Sequence, residues 1–235
     1  MRQVILDTET TGLEVSEGHR VIEIGAVELV ERRRSGRHFH RYINPQREVE
    51  QGALEVHGIS NDFLRDKPVF SEVVGEFLDF IRDAEIIIHN APFDVGFLDA
   101  ELRYAGIEPS TLEGYATVLD SLVLARQQHP GQSNSLDALC KRYEIDNTSR
   151  TLHGALLDAE LLAEVYLALT GGQETLSLSV AQTQRPLDAA SLGQRLPTPV
   201  IKADDEELAA HEERLQALAE KGGCLWRELS AGVSE

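Results

Sequence analysis

The chain has 235 residues, 42% of them hydrophobic, which suffices for one substantial domain plus extra segments without disulfide support. Its two cysteines, Cys140 and Cys224, lack metal-ligand spacing, which excludes a disulfide scaffold or a cysteine metal centre and fits a reducing compartment. A formal net charge of −18 excludes a protein that grips duplex nucleic acid mainly through a basic surface, because such binding needs Lys and Arg to neutralise phosphates.

In chain order, residues 2–7 read as a first strand. They show no signal-peptide layout, and no apolar run approaches the roughly 20 residues of a membrane helix, so the expectation is a soluble, cytoplasmic protein. Residues 21–30 alternate partly and predict a second strand; residues 37–43, ended by Asn44-Pro45, predict a third. The spacing of Val73, Val74, Phe77, Leu78 and Ile81 predicts a helix over 71–82. The short apolar run 85–89 predicts a buried strand, followed by a helix from about Pro92, a residue suited to the first helical turn. A fifth strand fits 116–119, and helices fit 121–128, 135–143 and 154–169. Strands first, then strands alternating with helices, give an α/β fold with a mixed five-stranded sheet.

At Gly171-Gly172 the composition changes. Residues 173–203 are rich in Gln, Ser, Thr and Pro, which predicts a flexible linker after a first domain spanning 1–172. A tail follows over 204–235. Leu208, His211, Leu215 and Leu218 share one helical face there, after an acidic opening (Asp204 to Glu207), and Gly222-Gly223 forms a stop.

Chemistry concentrates at three places. Asp7 and Glu9 lie two apart on a strand, so both carboxylates point to one face. Such a pair repels unless a hard cation such as Mg²⁺ or Mn²⁺ is present. Alone, it competes evenly with a solvated strand end. Asp94 falls in the first turn of the helix after the buried strand, where acids also serve as ordinary dipole partners. His153 and Asp158 are five apart, about 140° around a helix axis, so His153 is expected in the turn before the helix and Asp158 one turn inside. An imidazole there is suited to accept a proton from water. Taken singly, these residues also fit a helix-opening His and a surface Asp.

As a set they resemble something specific. Asp7-Thr8-Glu9-Thr10-Thr11-Gly12, His89-Asn90-Ala91-x-Phe93-Asp94 and His153-Gly154-Ala155-x-x-Asp158 resemble the three motifs of the DEDDh 3′→5′ exonuclease family, in its order and at its separations. Ile24-Gly25-Ala26, Val56-His57-Gly58-Ile59 and Ser135-Leu136-Asp137-Ala138-Leu139-Cys140 extend the likeness, which covers about residues 2–170. One departure is Glu50-Gln51-Gly52, where family members often carry Pro and then an acid.

The resemblance implies an RNase H-like fold and two divalent cations, Mg²⁺ or Mn²⁺, held by Asp7, Glu9, Asp94 and Asp158. His153 would be the general base. Asp7, Glu9, Thr10, Val56, His57 and Asp158 would contact substrate, with Thr11 near the terminal nucleotide. The stretch from Asn134 to Asp158, the junction at 169–172 and the tail up to Trp226 further resemble proofreading members of the family that work on a replicative DNA polymerase. That likeness implies DNA 3′ ends as substrate and docking on a polymerase subunit through Leu215, Leu218, Leu225 and Trp226. It also implies a sliding-clamp peptide at 173–178 (Gln173, Leu176 and Leu178) and leaves room for a small accessory subunit. The acidic charge agrees, since it predicts weak DNA affinity for the chain alone and a partner that supplies the grip. Two alternatives stay open: a free-standing exonuclease on RNA or short oligonucleotide ends, and a non-catalytic adaptor between clamp and polymerase. Intact catalytic residues argue against the second.

Overall fold

The computed structural model describes residues 1–148, 152–171 and 203–220. A five-stranded sheet organises the first two stretches, in the order β3-β2-β1-β4-β5. β1 (Arg2–Thr10), β2 (Val21–Val30) and β3 (Arg33–Tyr42) form an antiparallel meander, while β4 (Glu85–Ile88) runs parallel to β1 and β5 (Thr117–Asp120) parallel to β4. The C-terminal ends of β1, β4 and β5 therefore meet at one edge.

Helices cover both faces. The helix α1 (Gln51–His57), the single turn α2 (Asn61–Leu64), α3 (Phe70–Ile81) and α4 (Ala91–Tyr104) precede β5; α5 (Ser121–Gln128), α6 (Leu136–Arg142) and α7 (Ala155–Gly171) follow it. On one face, α3 and α4 bury Phe77, Phe97, Leu98 and Ile81 against Val4, Leu6, Ile24 and Ile86. On the other, α7 lays Ala159, Leu162, Ala163 and Tyr166 over Ile5, Val27, Leu29 and Ile87. A third cluster joins α5, α6 and α7 through Ala125, Leu139, Cys140 and Val165.

The predicted helices over 71–82, 121–128, 135–143 and 154–169, and the buried strand at 85–89, all form within a residue or two. Three differences have physical causes. β1 runs on to Thr10 because it keeps pairing with β2 up to Thr10–Val21. β3 starts at Arg33, not 37, because the β2–β3 turn is only Glu31-Arg32, with φ of 48° and 61°. Two left-handed residues match a tight hairpin, but Glu-Arg lacks the Asn or Gly that normally signals one. The helices α1 and α2 are too short to show a period.

Residues 203–220 belong to a separate unit and contain α8 (Asp205–Glu220), which carries the predicted face of Leu208, His211, Leu215 and Leu218 after the acidic opening; the predicted stop at Gly222-Gly223 lies outside the described residues. Among the described residues, no helix is long and apolar enough to cross a membrane.

Candidate active site

β1 carries Asp7 and Glu9 on the face that α7 covers, and the β1–β2 register slips just after Glu9. Such irregularities re-aim side chains next to sites. Asp7 lies opposite Gly25 and Glu9 opposite Glu23. Gly25 is a packing requirement: a Cβ there would sit 2.1 Å from the Leu156 amide nitrogen. Its absence lets the N-terminus of α7 lie directly on the sheet beside Asp7, which brings Asp158, in the first turn of α7, over the acidic pair.

His153 sits in the turn before α7. Its amide donates to the Val56 carbonyl at 3.1 Å, and its Nδ1 lies 3.3 Å from Asp158 Oδ2. Ligand atoms of Glu9, His153 and Asp158 all lie within 4.8 Å of one another.

Asp94 enters from α4 and is 3% exposed. Its Oδ1 accepts the Thr8 amide at 3.1 Å and the Thr8 hydroxyl at 2.6 Å. Burial pushes its carboxyl up to about 7, against the pull of those bonds. The chain reaches α4 through Asn90, which adopts a left-handed conformation, φ 70°.

These five residues line one cleft of about 700 Å³, with Asp137 as a further acid. A second cavity of about 310 Å³ shares Thr8, Glu9 and Phe93 with it and is lined by Thr10, Gly12, Leu13, Val56 and His57. The Thr10 hydroxyl donates to the Gly12 carbonyl at 2.7 Å, and Thr11 Oγ1 is 3.0 Å from Nδ1 of buried His19. Gly12 has no room for a Cβ, which would meet the His19 ring at 2.3 Å. His57 is buried; its Nδ1 accepts the Ile59 amide at 3.0 Å, so a neutral ring carries its proton on Nε2. That Nε2 faces the Thr10 carbonyl without a well-formed hydrogen bond, and burial holds the ring's pKa below the ordinary histidine value.

The predicted catalytic and metal residues thus share one cleft, and Thr10, Val56 and His57 share the adjoining cavity. Leu215 is half-buried and Leu218 exposed on α8. Gln173, Leu176, Leu178, Leu225 and Trp226 lie outside the described residues. Sequence reasoning missed several supports. Asp120 accepts the amides of Leu122 (2.8 Å) and Asn90 (3.2 Å), tying α5 to the turn before α4. His89 lies 3.0 Å from Ser121 Oγ and 2.9 Å from the Asn134 carbonyl. Glu23, 2% exposed, sits beside Glu9 and 2.7 Å from His40 Nε2. Asp120 had a signal, an acid at a strand end before helical spacing. Glu23 had none, since its partners are distant in sequence.

A family model described as exonuclease matches residues 4–166. The chain belongs to the exonuclease family. It is 54% identical over 237 residues to the DNA polymerase III subunit epsilon of Salmonella typhimurium, covering 96% of this chain and 97% of that one. It is 52% identical to the subunit of that name from Escherichia coli K12, again over 96% and 97% of the two chains. Among solved structures, exonuclease X in complex with 5′ overhanging duplex DNA superposes with a TM-score of 0.58 at 24% identity, covering 73% of this chain and 92% of that one. The nuclease domain of 3′hExo, a DEDDh family member bound to rAMP, gives 0.63 at 16% identity with the same coverage. The chain is accordingly a metal-dependent 3′→5′ exonuclease with an RNase H-like fold.

The residues present fit divalent cations. The donor set is hard oxygen, and the carboxylates of Glu9 and Asp158 crowd within 4.8 Å of each other. Asp94 is buried at a cost that a nearby cation would offset.

Proposed function

We propose that this chain is the proofreading exonuclease subunit of a DNA polymerase III, removing mismatched 3′-terminal nucleotides as nucleoside 5′-monophosphates. The observation that carries the reading is the convergence of Asp7, Glu9, Asp94, His153 and Asp158 in one cleft beside a largely apolar cavity. Similarity along nearly the whole chain to epsilon subunits supports the polymerase setting.

Asp7, Glu9 and Asp158 hold the cations, and Asp94 completes the set; Mg²⁺ or Mn²⁺ suits it. When bound, the cations supply charge stabilisation at the attacking and leaving oxygens of the phosphoryl centre. The protein's own groups do the rest. Phe93, Val56 and the His57 ring enclose the terminal nucleoside, and Thr10 borders its sugar. This seats the scissile phosphate over Asp7 and Glu9 and trades a diffusive encounter for a fixed geometry. His153, with Nδ1 held toward Asp158, presents Nε2 to the attacking water and takes its proton.

In this reading, residues 1–172 form the nuclease domain and 173–203 a linker whose Gln173, Leu176 and Leu178 bind the sliding clamp. Residues 204–235 dock on the polymerase alpha subunit through Leu215, Leu218, Leu225 and Trp226. The test is purified protein with Mg²⁺ or Mn²⁺ and 5′-labelled single-stranded DNA beside RNA, with and without a 3′ mismatch. Stepwise shortening of DNA, faster at a mismatch and lost in a folded Asp7→Ala variant, is expected. Faster degradation of RNA than of DNA would support the free-standing alternative instead.

A further inference from the structure

The cleft has two unlike walls. One carries the catalytic carboxylates; the other is built by α5, the turn at 129–135 and the start of α6. On α5, Leu122 and Arg126 stand four residues apart, so one helix face presents both to the cleft. Among the described residues, Arg126 is the only Lys or Arg lining either cavity.

Its guanidinium is exposed, and no carboxylate among the described residues forms a salt bridge with it. Arg2, Arg20, Arg34, Arg37 and Arg41, by contrast, each reach a glutamate. In a chain with 40 acidic and 22 basic residues, an uncommitted guanidinium beside the catalytic acids is available to an anion from outside.

The wall around it is fixed in advance. The Asn134 side chain donates to the carbonyls of His129 (3.2 Å) and Gln132 (3.0 Å). Arg142 donates to Asn134 Oδ1 (3.2 Å) and to the Ser133 carbonyl (2.8 Å), and the Asn134 carbonyl lies 2.9 Å from His89 Nε2. Held this way, the turn lines the cleft with the uncharged side chains of Gln132, Ser133 and Ser135. A strand with its end among the acids must lead its next phosphates away from them. This wall offers hydrogen bonds and one positive charge beside a single carboxylate, Asp137, which accepts from the Asn147 side-chain amide at 3.3 Å, and a guanidinium matches a phosphate in fork geometry.

We propose that Arg126 binds a non-scissile phosphodiester of the entering strand, upstream of the bond that is cut, with the Gln132–Ser135 turn as the rest for that segment. The assignment builds on the exonuclease reading. It is tested on the full-length protein with two substrates: an eight-nucleotide oligothymidylate and the p-nitrophenyl ester of thymidine 5′-monophosphate, which has no upstream phosphate. Arg126→Ala should raise KM for the oligonucleotide about tenfold or more, as expected for a lost charge-assisted hydrogen bond. Its kcat should stay within about twofold, and kcat/KM for the ester should fall at least about fivefold less than for the oligonucleotide. The slope of log KM against log salt should become shallower by about 0.7, the signature of one phosphate contact on a single strand. Arg126→Lys should recover part of the loss. Equal losses on both substrates, or an unchanged salt slope, would overturn the assignment while leaving the exonuclease reading intact. Failure of the unsubstituted protein on both substrates would overturn that reading and this proposal together.

Discussion

Asp94 bears an electrostatic cost in the cleft. Its side chain is buried, its bonds to Thr8 only partly offset desolvation, and its carboxyl is pushed up to about 7. Without a divalent cation, the folded protein therefore keeps a proton on Asp94 over a range in which the unfolded chain, with a carboxyl near 3.9, has released it. The folded state binds more protons there, so stability is full below about pH 4 and is lost as pH rises through about 7. In EDTA, the melting temperature of the unsubstituted protein should fall from pH 5 to 8 more steeply than that of Asp94→Asn. Added Mg²⁺ should flatten the difference, because a cation favours the carboxylate. His57 and His89, whose pKa values burial lowers, act in the opposite sense, losing stability as pH falls below about 6.5. They are common to both proteins and cancel in the comparison. Identical pH slopes in EDTA would remove this account of Asp94. At the same scale, His153→Ala should lower kcat by about 10²- to 10⁴-fold with the circular dichroism spectrum unchanged, the usual weight of a general base. A loss under tenfold would argue against that role. The five residues that share the cleft were legible in the sequence because they lie in short motifs whose order survives without the fold. Glu23 and Asn134 were not legible: each is a polar residue on an ordinary element, and only the sheet register or a turn 45 residues from His89 reveals its partner.

The elements explain how that precision is held. At Gly25 the N-terminus of α7 approaches the sheet too closely for a Cβ, and Asp158 rides on that approach. Gly25→Ala places a methyl group against backbone, which has no soft side chain to yield. It should cost about 1–3 kcal/mol, the usual range for overpacking, and lower kcat by displacing Asp158. Thermal melting and steady-state kinetics on one preparation read both, and a variant with normal melting and normal kcat would show that α7 can shift freely. Asp120 is the second brace, since it caps α5 while holding the Asn90 amide just before α4. Asp120→Ala should cost about 1–2 kcal/mol as a lost N-cap, or roughly 2–8 °C in melting temperature for a domain of this size. It should also reduce activity through the turn that delivers Asp94. Helical period and apolar runs made α3, β4, α5, α6 and α7 readable, because each buries one face or both. The β2–β3 turn at Glu31-Arg32 was not, because the left-handed backbone is imposed by strand pairing rather than by turn residues. The same holds for the helix α1, whose seven residues are too few for a period yet carry Val56 and His57 to the second cavity.

At the scale of the whole molecule, the charge and the tail belong to one argument. An enzyme with a net charge of −18 attracts DNA poorly, and among the described residues Arg126 is the only Lys or Arg that lines the cleft. Efficient work on a primer end then requires that something else bring the end close. α8 supplies a candidate contact: Leu208 is 54% and Leu218 44% exposed on a helix whose described residues include none that is buried. A segment that docks there would convert the encounter with the primer end into an intramolecular one, at an effective concentration on the order of millimolar. The expected outcome concerns dilution. With the polymerase alpha subunit on a mismatched primer–template, excision by the full chain should stay nearly constant as both proteins are diluted from micromolar to nanomolar. A chain ending at residue 203 should match it on single-stranded oligonucleotide, within about twofold, yet slow on the primer–template in proportion to its concentration. Leu215→Asp combined with Leu218→Asp should behave like the truncation, because a charge buried at an apolar contact without a partner is costly. Excision by the truncated chain that remained independent of dilution would show that the nuclease domain makes the decisive contact itself, and the tail would lose its assigned role.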